Sequence, residues 1–108
     1  MDDATRHRYY VESTYALGML ATDPVGLLTE RGIKGQRSNR DDCIVRMLNA
    51  EVPPPEGYRW LSNKDHVRLQ LTADLESVLI VFTPDPLRDF GEKFDKGRYP
   101  ELLDEELA

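Results

Sequence analysis

His66-Val67-Arg68-Leu69-Gln70-Leu71-Thr72 alternates polar and apolar residues without a break. Val67, Leu69 and Leu71 share one face at a period of two, while His66, Arg68 and Gln70 share the other. That pattern predicts a β-strand with one covered side. A second run, Tyr58-Arg59-Trp60-Leu61-Ser62, precedes it across Asn63-Lys64-Asp65, whose residue types suit a turn. A third, Val78-Leu79-Ile80-Val81-Phe82, follows the break at Ala73-Asp74-Leu75-Glu76-Ser77 and reads as a buried-type strand. Connections this short join antiparallel neighbours, so the segments predict a three-stranded meander over 56–82.

Upstream the period lengthens. From Asp3 to Ala21, residues Tyr10, Thr14, Leu17 and Ala21 fall on one helical stripe, widened by Tyr9, Ala16 and Leu20, with Arg6, Arg8 and Glu12 elsewhere. Thr22-Asp23-Pro24 places a capping side chain before a first-turn proline. A short helix through Val25, Leu27, Leu28 and Arg31, ended by Gly32, is expected from it. Ser38 or Asn39 opens a third helix whose narrow apolar face is Ile44, Met47 and Leu48, with Cys43 one turn before Met47. Pro53-Pro54-Pro55 cannot continue a helix and reads as a rigid connector.

Downstream, Asp85-Pro86 repeats the cap-and-proline device. Leu87, Phe90 and Phe94 then recur on one helical face, Gly97 stands at a stop position and Pro100 follows it. This helix is expected to cover the meander face bearing Val67, Leu69 and Leu71. The fold class is therefore α+β: N-terminal helices, a three-stranded antiparallel meander and a C-terminal helix packed on the sheet. One domain spans 1–108, with a helical half at 1–52, the meander at 56–82, and the last helix with an acidic tail at 85–108. The pattern Phe90-x-x-x-Phe94-Asp95-x-Gly97-x-Tyr99-Pro100-Glu101-Leu102 resembles the ending of small uncharacterised actinobacterial proteins. Arg31-Gly32-Ile33-Lys34-Gly35, with Cys43 opening the next apolar helix, resembles their first half. Cys43 is followed here by Ile44, where that group has proline. The resemblance implies a similar fold and no particular activity.

The chain has 108 residues, 40% of them hydrophobic, enough for a core without covalent staples. Its net charge of −6 is uneven: residues 1–54 carry seven Lys/Arg against eight Asp/Glu, and residues 55–108 carry seven against twelve. An acidic chain is repelled by phosphate backbones and anionic membranes, which disfavours nucleic acid and a membrane surface as partners. Cys43 is the only cysteine, so neither an internal disulfide nor a Cys-rich zinc site is possible. No apolar stretch follows Met1-Asp2-Asp3, which predicts no secretory leader, and Val78–Phe82 is too short to span a bilayer. A cytoplasmic setting is expected.

Four cations, Arg31, Lys34, Arg37 and Arg40, stand within ten residues that hold no acid. Beside a helix start they form a candidate anion-binding loop, or else a solvated loop paired with Glu30, Asp41 and Asp42. Phosphate-loop glycine motifs are missing. Cys43, near a helix start between Arg40 and Arg46, is a candidate nucleophile, but its alignment with Met47 favours core packing. His7 and His66 have no metal spacing. Adjacent acids such as Asp41-Asp42 and Glu105-Glu106 point in different directions on a helix. Tyr9, Tyr10, Tyr15, Tyr58, Trp60 and Tyr99 suit either a core or a protein interface, with core the default. The expectation is a module without catalytic residues, metal or cofactor that contacts another protein or a second copy, as a regulatory or accessory subunit. The alternatives are an anion or nucleic-acid site at 31–40 and, further down, a thiol enzyme using Cys43.

Overall fold

A computed structural model describes residues 1–30 and 40–89 of the chain. Helix α1 (Asp3–Thr22) begins where the Asp2 carboxylate accepts a hydrogen bond from the Thr5 N–H at 2.7 Å. That bond holds the Asp2 carboxyl below its ordinary pKa. Helix α2 (Pro24–Glu30) starts in the same manner, the Asp23 carboxylate accepting from the Gly26 N–H at 3.1 Å. Helix α3 (Arg40–Glu51) follows, and then strands β1 (Tyr58–Asn63), β2 (His66–Leu71) and β3 (Ser77–Phe82). A helical stretch begins again at 85–89.

The strands form one antiparallel sheet in the order β1-β2-β3. Trp60 pairs with Leu69 and Leu69 with Leu79; Ser62 pairs with Val67 and Val67 with Val81. One extra residue, Val78, bulges β3 between the Leu69–Leu79 and Gln70–Ser77 pairs. At the tight β1–β2 turn Lys64 takes a positive φ of 51°.

The inner face carries Trp60, Val67, Leu69, Leu79 and Val81, all buried. α3 packs under β1 and α1 under β3. The helices of the N-terminal half thus share in covering the inner face. Leu87, fully buried in the same core, brings the start of the C-terminal helix onto it. Phe90 and Phe94 lie outside the described residues. The Trp60 indole N–H donates to the Val52 carbonyl at 2.7 Å, which ties the end of α3 to β1 across the three prolines. Its ring meets Tyr9 of α1 in a tilted contact, centroids 6.4 Å apart.

The buried stripe of α1 is Tyr9, Ser13, Ala16, Leu17 and Leu20. Leu17 lies at its centre as expected, but Tyr10 and Thr14 are exposed. Tyr9 fixes the rotation through Trp60. Ser13 can enter the core because its hydroxyl donates to the Tyr9 carbonyl at 2.6 Å.

Candidate interaction surface

Of the four loop cations only Arg40 lies among the described residues. It stands at the first position of α3, where its guanidinium donates to the Lys64 carbonyl in the β1–β2 turn and lies 3.6 Å from Asp41. Its side chain is only 12% exposed, so Arg40 fastens a helix start to a hairpin. Asp41 in turn accepts from the Ser62 hydroxyl at 2.8 Å, a second tie between α3 and β1.

Cys43 is buried among the apolar side chains of α3. Burial, aided by Asp42 and opposed by Arg46, pushes its thiol up to about 12. A thiol held in that state supplies no thiolate near neutral pH. His7 is exposed on α1, while His66 lies on the outer side of β2. Among the described residues no group of three or more His, Cys, Asp or Glu is placed to hold a metal ion, and no helix is long and apolar enough to cross a membrane.

Two surfaces instead expose large apolar side chains. On α1, Val11, Tyr15 and Met19 recur at i, i+4 and i+8 and are 50%, 70% and 39% exposed. They line a groove of about 290 Å³ that Glu12, Ala16, Glu51 and Val52 complete. The other surface is the outer face of the sheet. Its cross-strand rows are Arg59–Gln70–Ser77, Leu61–Arg68–Ile80 and Asn63–His66–Phe82. Ile80 is 51% exposed and Phe82 76%. Gln70, also on this face, is buried and accepts from the Arg59 guanidinium at 3.0 and 3.3 Å. The Arg68 Nε is shielded from water with no hydrogen-bond partner.

This outer face corrects the reading of Val78–Phe82 as a buried-type strand. A continuous apolar run does not tell one buried face from two. The decisive signal lay on the neighbouring strand: the face of β2 that bears His66, Arg68 and Gln70 must also carry the residues paired with them. The aromatic default fails in part as well. Tyr9 and Trp60 are core residues, Tyr58 is half-buried, and Tyr10 and Tyr15 are exposed.

Comparisons of the chain with protein-family models, curated proteins and solved structures give no match.

Proposed function

We propose that the protein is a non-catalytic protein-binding module, a regulatory or accessory subunit that works through its sheet. The observation that carries this reading is the outer sheet face, where Phe82 and Ile80 are set toward solvent beside arginines on a strand whose opposite side builds the core. Large apolar side chains grouped on a rigid sheet are the usual material of an interface centre. Cys43, as a neutral core thiol, supports the absence of a cysteine-based reaction. We place the protein in the cytoplasm, since its one cysteine allows no internal disulfide.

The alternative, an anion or nucleic-acid site at 31–40, draws on the charges of Arg31, Lys34, Arg37 and Arg40. The engagement of Arg40 with the Lys64 carbonyl weakens it. Quantitative affinity capture with wild type and Phe82→Ser decides between them. The module reading predicts that a protein is lost from the Phe82→Ser capture while the circular dichroism spectrum is unchanged. Unchanged capture by that variant, with loss of nucleic acid from an Arg37→Glu, Arg40→Glu variant, would replace the reading by the alternative.

A further inference from the structure

We infer that the outer face of the sheet docks an acidic, apolar segment of a partner protein. The inference rests on the module reading above and adds the chemistry of the partner. The three cross-strand rows of the face, including Ser77 opposite Gln70, contain no Asp or Glu. In a chain of net charge −6 this is a local reversal of sign. An acidic segment is steered toward such a patch and away from the rest of the molecule.

The cations are also set for carboxylates. Gln70 holds Arg59 through Nε and Nη2, so the guanidinium is fixed before any partner arrives. Arg68 lies between Leu61 and Ile80 in its row, and among the described residues its side chain makes no hydrogen bond or ion pair. Its Nε is covered by the protein itself, while the residue as a whole is half-exposed, so the outer guanidinium N–H groups are the ones that offer a charge-assisted bond to an incoming carboxylate. Ile80 and Phe82 alongside supply the apolar contact. A nucleic acid would meet the same cations, but the net charge opposes its phosphates and, among the described residues, Phe82 is the only exposed aromatic ring on the face for a base to stack on.

The test is fluorescence anisotropy on the full chain with three labelled probes. One is a ten-residue peptide alternating glutamate with leucine; the second has glutamine in place of glutamate; the third is a ten-nucleotide thymidine strand. Wild type should bind the acidic peptide, about tenfold or more tighter than the glutamine peptide, with Arg68→Gln and Phe82→Ser each weakening it by about that factor. Both variants should keep the wild-type circular dichroism spectrum, and Arg59→Gln serves if either does not. Equal affinity for the two peptides would overturn the acidic partner while leaving the module reading intact. Tighter binding of the thymidine strand would assign the face to nucleic acid. Binding that emerges only when Glu101, Asp104, Glu105 and Glu106 are all neutralised would assign it to the chain's own terminus. Failure of every probe would overturn the inference; failure of the module reading is seen separately, as capture that Phe82→Ser leaves unchanged.

Discussion

Trp60 is the side chain on which the helical half and the sheet meet. It is buried, its ring leans on Tyr9 of α1, and its N–H donates to the carbonyl that ends α3. Trp60→Phe keeps most of the apolar volume and leaves that carbonyl without its donor, so it should cost about 1–3 kcal/mol in urea unfolding. A loss well below that would mean the bond contributes little to joining the halves. Cys43 makes a prediction in pH. Its folded pKa of about 12 lies above the ordinary value of 9.0, so its share of stability is full below pH 9 and is lost as pH rises through 12. Compared with Cys43→Ala, wild type should lose more stability over that interval, and native Cys43 should react slowly with thiol reagents near neutral pH. Fast native labelling would contradict the buried thiol. The position of Cys43 was legible because a helix sets residues four apart on one side, and Met47 marks that side as core. Tyr10 was not legible: one aromatic contact, Tyr9 with Trp60, rotates the helix, and nothing local to α1 announces it.

At the scale of elements, the punctuation of the chain was its clearest writing. Asp23-Pro24 starts α2, and the Asp23 carboxylate sits so close over Gly26 that a Cβ there would run into it. Asp23→Ala should therefore cost about 1 kcal/mol through the lost cap. Gly26→Ala should be destabilising in wild type and stabilising in the Asp23→Ala background, because the obstruction is gone and alanine is the better helix former. Additive effects in this double-mutant cycle would refute the cap geometry. The three strands were also legible within a residue or two, since a period of two is a direct consequence of the pleat. Which strand side meets solvent was written across strands rather than along one. β2 declares its polar side, and pairing carries that side to Ile80 and Phe82.

At the scale of the whole molecule, a sheet covered on one side explains the contrast between two large apolar residues five positions apart. Leu87 is fully buried and Phe82 is 76% exposed. Leu87→Ala should cost about 2–5 kcal/mol, while Phe82→Ser should stay within about 0.5 kcal/mol of wild type in urea unfolding. The α+β order was visible in advance because the hydrophobic period changes at Pro53-Pro54-Pro55. The C-terminal helix was expected on the sheet and Leu87 does pack there, but the share of α1 and α3 in the cover was not visible, because periodicity shows that a face is buried without showing everything that lies against it. The most direct test of the one-sided sheet is hydroxyl-radical footprinting of the purified protein at low concentration, read residue by residue by mass spectrometry. Phe82 and Tyr15 should oxidise rapidly, while Trp60 and Tyr9 should be strongly protected until the protein unfolds. Protection of Phe82 comparable to that of Trp60 would contradict the account, because the outer face would then already be covered.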